Sequence, residues 1–269
     1  GAVGSVTVYY RMPDDVAGAL EAFDAQAQKV LSGITPSMSE FEKVLYIHDE
    51  LAKMVEYVDT PNAHNAYGAL VEGKAVCEGY AEAFQYLLQK AGIQSFAAIG
   101  SSINPGTGRG EPHEWNYVRI DGKYYHVDLT WNDQGEEQFH AYFGVTDAMI
   151  QEDHDIEPVS YALPICNSTD AFYFEGKPEN LYTYNTESVA RILEDNGYRV
   201  HVYIPGDVSD FMTWLNDSIF DIAQEAGIEG AFSYGYSYLG REIILCFTVP
   251  DDGYNISGTI SSVDAGVQT

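Results

Sequence analysis

Basic residues are scarce in this chain of 269 residues, which has 13 Lys and Arg against 41 Asp and Glu and a formal net charge of −28. Such a charge repels phosphate backbones and anionic membrane surfaces. The acidic residues are scattered rather than gathered in one block, which is typical of a solvated acidic surface, with cation binding or a basic partner as the alternative. We therefore expect no nucleic-acid partner.

Cysteine and long apolar runs are also rare. The three cysteines, Cys77, Cys166 and Cys246, cannot complete a disulfide framework, so at least one thiol stays free unless it pairs with another molecule. No run approaches the roughly 20 apolar residues that span a bilayer, so we expect no membrane span. No secretory leader is visible, but the chain begins with Gly1 rather than Met, which suggests a processed product.

Periodic apolar residues predict three helices in the first half of the chain. The first covers residues 14–31 and has a core face made of Val16, Ala19, Leu20, Phe23, Ala27 and Val30. The second follows Pro36, where Ser37 and Glu40 have the spacing of a capping box. His48 falls on its apolar face, where a hydrogen-bonded core histidine is more common than a ligand. The third covers residues 77–91 and ends at Gly92.

A sheet is predicted to follow these helices. An apolar strand at residues 95–99 leads into a glycine-rich loop at 106–110, and two β-patterned runs at 113–120 and 123–131 flank the hairpin turn Asp121-Gly122. Helices followed by strands indicate an α+β fold, which we assign to a first domain of residues 1–160.

A second, smaller unit is predicted for residues 164–250. Its pattern is a strand near Pro164, a helix at 187–196, a strand at 198–204, a helix at 208–226 and strands at 231–238 and 242–249. This order indicates a small α/β domain, to which the sequence assigns no role. Residues 251–269 are rich in Gly, Ser and Asp and are predicted to form a flexible tail or linker.

Cys77 is the first candidate for chemistry. It lies where the segment Gly73-Lys74-Ala75-Val76 turns into the third helix, and the partial positive charge of a helix N-terminus favours the thiolate, which is the nucleophilic form. The alternative is a buried structural cysteine. Cys166 and Cys246 lack a comparable setting and are expected to be inert.

The register of the predicted hairpin brings a histidine and an aspartate together. With Asp121-Gly122 as the turn, Trp115 lies opposite Asp128 and His113 lies opposite Thr130. Side chains alternate along a strand, so His113 and Asp128 share a face as diagonal neighbours, about 7–8 Å apart at Cβ. We expect the Asp128 carboxylate to orient the His113 imidazole, and the polar face that carries them to turn toward the Cys77 helix.

Three segments resemble motifs of the transglutaminase-like superfamily, nearest to its bacterial, exported branch related to cytokinesis-associated proteins. They are Val-Cys-Glu-Gly-Tyr-Ala (76–81), Pro-His-Glu-Trp-Asn (112–116) and Tyr-His-Val-Asp-Leu-Thr-Trp-Asn-Asp (125–133). The resemblance extends from the helix near Ser37 through Asp153-His154 and leaves out residues from about Pro164 onward.

This resemblance implies a papain-like α+β core, with helices packed on an antiparallel sheet. It also implies a nucleophile at Cys77, a general base and acid at His113 and an orienting carboxylate at Asp128. The backbone N–H of Cys77 is the first donor expected for the oxyanion, and Tyr67, Trp115 or Trp131 is a candidate for the second. Plain packing is the alternative for Tyr67.

The expected reaction is attack of Cys77 on a peptide or Gln-type amide to form a thioester. The family favours hydrolysis, so a peptidase or amidase is the first interpretation, with a cell-wall peptide among the substrates. A protein-crosslinking transglutaminase and a non-catalytic surface binding module are the alternatives. The same resemblance suggests an extracellular or cell-surface location in a bacterium; the oligomeric state stays open.

No metal or cofactor motif is recognisable. His113-Glu114 has no second histidine at position 117, so the zinc-peptidase motif is incomplete. Residues 132–137 are rich in oxygen ligands, but their spacing departs from a calcium loop, and a hydrated turn is the preferred interpretation. We expect neither a metal nor a cofactor.

Overall fold

The computed structural model describes residues 14–104, 108–135, 137–160, 162–230, 232–248 and 263–264. Its helices are α1 (Val16–Leu31), α2 (Glu40–Met54), α3 (Cys77–Lys90), α4 (Leu129–Asn132), α5 (Asp147–Ile150), α6 (Thr186–Asp195) and α7 (Val208–Glu225), with a π-helical turn at Gly68–Glu72. None of the helices in these ranges is long and apolar enough to cross a membrane.

The larger sheet is antiparallel throughout and has the order β8-β5-β4-β3-β9. Its strands are β3 (Ser95–Asn104), β4 (Arg109–Ile120), β5 (Lys123–Val127), β8 (Phe143–Val145) and β9 (His154–Ile156). Two short pairs accompany it: β1 (Glu56–Tyr57) with β2 (Lys74–Ala75), and β6 (Asp133–Gln134) with β7 (Glu137–Gln138). The first half of the chain is therefore an α+β unit with helices packed on an antiparallel sheet, as the sequence predicts.

The hairpin that joins β4 and β5 has the predicted turn. Asp121 and Gly122 both have positive φ, at 49° and 84°, and Ile120 pairs with Lys123. Two positive φ angles are the requirement of the tight hairpin turn that Asp-Gly favours. The turn therefore fixes the register of every pair along β4 and β5.

The second half of the chain builds a separate sheet. It contains β10 (Arg199–Tyr203), β12 (Glu242–Thr248), β11 (Ser233–Leu239) and β13 (Val263–Asp264), in that order, and α6 and α7 accompany it. The strand predicted near Pro164 is wrong, because the described residues from 164 to 180 form turns and irregular chain. Of the predicted tail, only residues 263–264 lie within the described part, and the two domain boundaries stay predictions.

Three apolar clusters hold the molecule together. One packs α1, α2 and α3 on one face of the larger sheet, and one lies between α6, α7 and the smaller sheet. The third joins Trp115 and Trp131 on the other face of the larger sheet to Tyr203 and Ile244 of the smaller one. Since both sheets contribute to the third cluster, the two halves of the chain are packed against each other.

Two details of the helix predictions are wrong. Leu20, predicted on the core face of α1, is 60% exposed, and only Ala27 and Val30 of that helix are fully buried. The capping box of α2 is formed by Ser39 and Glu42 rather than by Ser37 and Glu40, because the helix begins at Glu40.

Candidate active site

Cys77 is the first residue of α3, as the sequence predicts. Val76 is the N-cap, and its N–H donates to the carbonyl of Ala63. The next turn of the helix comes so close to the same carbonyl that a Cβ on Gly79 would lie 2.2 Å from it. Glycine at position 79 therefore lets the 61–67 loop lie directly on the start of the helix, and the two together hold the cysteine.

Cys77 is almost buried, at 8% exposure, and its sulfur has two hydrogen-bond neighbours. Its S–H donates to Glu78 Oε2 at 3.2 Å, and the backbone N–H of Glu114 donates to the sulfur. Glu114 follows His113 in β4, so the thiol lies against the strand that carries the candidate base. Among the hydrogen bonds of the described residues, none joins Cys77 to the His113 ring itself.

The protonation of Cys77 differs from the sequence-based expectation. Burial, together with the charge and the hydrogen bond of the Glu78 carboxylate, raises the pKa of the thiol to about 12. The helix N-terminus and the Glu114 N–H favour the thiolate, but they do not outweigh these effects. At neutral pH, Cys77 is therefore a neutral thiol, and its S–H donates to the Glu78 carboxylate.

His113 and Asp128 are in direct contact. Nε2 of His113 lies 2.6 Å from Oδ2 of Asp128, and both side chains are buried. Burial raises the pKa of Asp128, but the attraction of His113 and the hydrogen bonds of both His113 and His154 outweigh it and hold the pKa well below its usual range. An ionised Asp128 fixes the His113 ring with a proton on Nε2, which leaves Nδ1 as the atom that can accept another proton.

The strand predicted for residues 123–131 is too long. β5 ends at Val127, and Asp128 is instead the N-cap of α4, with Oδ1 accepting from the Trp131 N–H at 3.0 Å. Thr130 therefore lies in a helix and does not pair with His113. The predicted contact between His113 and Asp128 survives because the register holds as far as Asn116 opposite Val127, and Val127 directly precedes Asp128.

Beyond its first residues, α3 does not pack on the face that carries His113, contrary to the prediction. α3 packs on the opposite face of β4, where Val118 and Ile120 belong to its apolar cluster and Asn116 Nδ2 donates to the carbonyl of Ala81. Cys77 contacts β4 through the backbone at Glu114 rather than across the polar face.

His154 is the residue of this site that the sequence-based assignment missed. Its Nε2 lies 3.0 Å from Asp128 Oδ2 and its Nδ1 lies 2.6 Å from Asp153 Oδ1, while the Tyr142 hydroxyl donates to the other oxygen of Asp153 at 2.5 Å. Burial lowers the pKa of His154, but the two carboxylates outweigh it and raise it to about 9. The adjacent pair Asp153-His154 was the available signal, and it does not show which residues it contacts.

The three proposed oxyanion residues lie in different settings. The Trp115 indole N–H donates to His126 Nδ1 at 3.0 Å, so that donor is already used inside the core, which argues against the proposed role. The centroid of the Trp131 ring lies 4.6 Å from that of the His154 ring and 6.2 Å from that of the His113 ring. The Tyr67 ring stacks on Phe23 of α1, with centroids 6.5 Å apart, which fits the packing alternative.

Three glutamates make the surroundings of Cys77 acidic. Glu78 and Glu82 lie one turn apart on α3, and Glu114 lies on β4. Burial, together with the charges of Glu82 and Glu78, raises the pKa of Glu114 to about 7. A cationic group that approached Cys77 would meet this negative potential.

Metal binding at the candidate active site is disfavoured by its hydrogen bonds. His113, Asp128 and His154 could hold an ion by composition. Both ring nitrogens of His154 are engaged by carboxylates, however, and His113 gives Nε2 to Asp128. In the oxygen-rich segment that begins at Asn132, Asp133 accepts from the Tyr80 hydroxyl at 2.6 Å and from the N–H of Gly135. Both of its carboxylate oxygens are therefore already used in hydrogen bonds within the protein.

Residues 24–129 match the model of the transglutaminase-like superfamily. No curated protein matches the chain. The segment of the match contains Cys77, His113 and Asp128, and it covers α1 to the start of α4. The nearer resemblance to the cytokinesis-associated branch stays a prediction.

Several solved structures are similar to part of this chain. A TGase is 16% identical over 42% of this chain and 31% of its own, with a TM-score of 0.35. An arylamine N-acetyltransferase from Bacillus cereus is 15% identical over 40% of this chain and 48% of its own, with a TM-score of 0.31. A Cytophaga hutchinsonii protein, provisionally named a cysteine protease, is 17% identical over 59% and 62%, with a TM-score of 0.34. This chain covers less than two thirds of each.

The family match and the α+β architecture agree with each other. The matched segment supplies the helix that begins at Cys77 and the antiparallel strands that place His113 beside Asp128. Over residues 24–129, this chain is therefore similar to the transglutaminase-like superfamily.

Proposed function

We propose that the protein is a cysteine-dependent acyl-transfer enzyme that attacks peptide or Gln-type amide carbonyls through Cys77. The observation that carries this proposal is the 2.6 Å hydrogen bond between His113 Nε2 and Asp128 Oδ2, one residue along β4 from the backbone N–H that contacts the Cys77 sulfur. Asp128 holds the ring in the tautomer whose Nδ1 is a base, and that base lies on the strand that the thiol touches.

The first half of the reaction forms a thioester. His113 Nδ1 accepts the proton of the Cys77 thiol, and the sulfur adds to the carbonyl carbon to give a tetrahedral oxyanion. The backbone N–H of Cys77, at the start of α3, is a donor for this oxyanion. As the carbonyl re-forms, the C–N bond breaks and the His113 imidazolium gives its proton to the leaving amine, which leaves the acyl group on sulfur.

The second half depends on the acceptor. If water attacks the thioester, His113 removes a proton from it, and a carboxylic acid and the free thiol result; this makes the protein a peptidase or amidase. If an amine attacks, a new amide forms and the protein is a transglutaminase. We favour hydrolysis, on the habit of the family, with peptide or protein as substrate, cell-wall peptide included, and an extracellular or cell-surface location.

Amine transfer is the second candidate because Glu78, Glu82 and Glu114 make the approach to Cys77 negative. A protonated amine is attracted to such a site, and Glu114, with a pKa of about 7, can accept a proton from it near neutral pH. These carboxylates therefore raise the local concentration of a cationic acceptor.

A single incubation separates these functions. The full chain is mixed with Gln-containing peptides and a labelled primary amine, and the products are analysed by mass spectrometry. Cleaved or deamidated peptide indicates hydrolysis, whereas incorporated amine indicates a transglutaminase. Both products must disappear in Cys77→Ala and fall sharply in His113→Ala. Turnover that persists in folded Cys77→Ala would refute the proposal, and the absence of turnover together with a thiol inert to iodoacetamide at every pH would favour a binding module.

A further inference from the structure

Four groups of His, Cys, Asp and Glu in the described residues have spacings that could hold a metal ion. The hydrogen bonds of their histidines distinguish them. In the group around His48, Nδ1 bonds to Asp49 and Nε2 accepts from Asn132, and in the group around His126, Nδ1 accepts from Trp115 and Nε2 bonds to Asp147. The His48 and His126 rings therefore have no free nitrogen for a metal. The third group, His113, Asp128 and His154, belongs to the candidate active site.

The fourth group consists of His140, His201 and Glu242, and it differs in this respect. His140 Nδ1 is buried and has no hydrogen-bond partner within the described part of the protein, although a buried imidazole nitrogen without a partner is costly. One ligand atom from each of the three residues lies within 4.8 Å of the other two. An unsatisfied imidazole nitrogen in a group that also contains a carboxylate and a second imidazole is the arrangement of a metal site before the ion binds.

Asp49 sets the tautomer that such a site requires. Its Oδ1 accepts from His140 Nε2 at 3.0 Å, from His48 Nδ1 at 2.9 Å and from Gln138 Nε2 at 2.8 Å. Because an ionised carboxylate only accepts, His140 carries its proton on Nε2 and presents a lone pair on Nδ1, as metal-binding histidines oriented by a carboxylate do.

Glu242 supplies the charge. Its carboxylate is completely buried, with Oε2 accepting from the His140 backbone N–H at 2.6 Å and Oε1 lying 2.7 Å from His201 Nδ1. Buried carboxylates are normally paired with a cation or bound to a metal. Two cations line the adjoining cleft, but Lys177 lies over the Tyr173 ring and Arg199 pairs with Glu137.

The cleft next to these residues gives the ion an entry path. It has a volume of about 500 Å³ and is lined by His140 and His201, with Gln138 and Arg199 at its walls. We propose that His140, His201 and Glu242 form a binding site for a divalent transition metal of the Zn²⁺ type, with a fourth coordination position open to this cleft. Two histidines and a glutamate with one open position are a known zinc ligand set. The three ligands are far apart in sequence, so no motif could reveal them.

The test uses the full chain, stripped of metal with a chelator and titrated with Zn²⁺ against a chromophoric competitor, with Co²⁺ absorption as a second readout of coordination. Wild type is expected to bind one equivalent. His201→Ala changes a side chain that is 29% exposed, and it should weaken binding by more than the about 10- to 100-fold expected for Asp49→Asn, which removes only the orienting group. His201→Gln, which keeps a polar side chain of similar size, should weaken binding as His201→Ala does.

Two controls complete the design. His64→Ala removes an exposed histidine outside the group, and Cys77→Ala removes the candidate nucleophile; both should bind Zn²⁺ as wild type does. Loss of binding in Cys77→Ala, unchanged affinity in folded His201→Ala and His201→Gln, or no saturable equivalent in wild type would each overturn the proposed site. Since binding is read without substrate, the outcome is independent of the proposed acyl transfer.

Discussion

Asp128 and His154 are joined by a hydrogen bond of 3.0 Å between Oδ2 and Nε2, and the same oxygen contacts His113 at 2.6 Å. One buried carboxylate therefore orients two imidazoles, the candidate base and a second ring behind it. Asp153 anchors the second ring from its other side at 2.6 Å. The position of His113 consequently depends on residues from β9, well beyond the hairpin that carries His113 and Asp128.

Replacing His154 should remove a pH-dependent part of the stability. Its pKa rises from 6.5 to about 9 in the folded state, so its contribution is fully present below pH 6.5 and is lost as the pH rises through 9. The contribution amounts to about 3 kcal/mol at most. We expect the free energy of unfolding in urea to fall more steeply across this window for wild type than for His154→Gln.

Glu114 also titrates near pH 7, but both proteins contain it, so the difference between them isolates His154. Equal losses of stability in wild type and variant would show that His154 is not the group responsible.

Glu78→Gln should make Cys77 more reactive toward iodoacetamide. The variant removes the negative charge that, after burial, contributes most to the raised thiol pKa of about 12. Each unit by which the pKa falls increases the thiolate fraction about tenfold. The matched control is Glu82→Gln, one turn further along α3, whose carboxylate accepts from the Ala66 N–H instead of the thiol. Identical pH profiles for Glu78→Gln and wild type would contradict the assignment.

Asp128→Asn should abolish most of the turnover while keeping the fold. Asparagine caps helices as well as aspartate does, so α4 is retained. Its amide has no charge to stabilise the His113 imidazolium, and it can present an N–H to Nε2, which would leave the ring proton on Nδ1. By analogy with the serine triad, kcat on a Gln peptide should fall on the order of 10⁴-fold. Near-normal turnover would mean that Asp128 is structural; circular dichroism checks the fold.

Gly79→Ala should destabilise the protein although it lies inside a helix. Alanine normally stabilises a helix by about 1 kcal/mol relative to glycine. At position 79, however, the new Cβ would lie 2.2 Å from the carbonyl of Ala63, so we expect a net loss of about 1–3 kcal/mol. Gly206→Ala, with nothing within 4 Å of its Cβ, is the control and should leave the urea midpoint nearly unchanged.

The sequence was most informative where local rules act alone. The start of α3 at Cys77 and the turn at Asp121-Gly122 follow from helix capping, glycine stops and hairpin geometry, and the structure has both. These two features also place the candidate nucleophile and the contact between His113 and Asp128. The functional roles of the three residues stay proposals until activity is measured.

Local rules gave the wrong structure where tertiary contacts, or a second local signal, determine the conformation or the burial of a residue. Asp128 fits the alternating pattern of a strand, but its side chain caps α4 and ends β5. The ring of His154 contacts Asp128 because β9, at the edge, belongs to the same sheet as β4 and β5. The periodicity of the sequence does not encode this contact. Leu20 has the spacing of a core residue, but it lies on a part of α1 that no other element of the described residues covers completely.

The protonated state of Cys77, whose S–H donates to Glu78, affects how fast the thiol is oxidised. Peroxide and disulfides react with the thiolate, so a cysteine with a pKa of about 12 oxidises slowly. A substrate that displaces the Glu78 carboxylate and lets His113 take the proton would create the reactive form only when it is needed. In oxidising surroundings, such a sulfur would remain reduced between turnovers without any reducing partner.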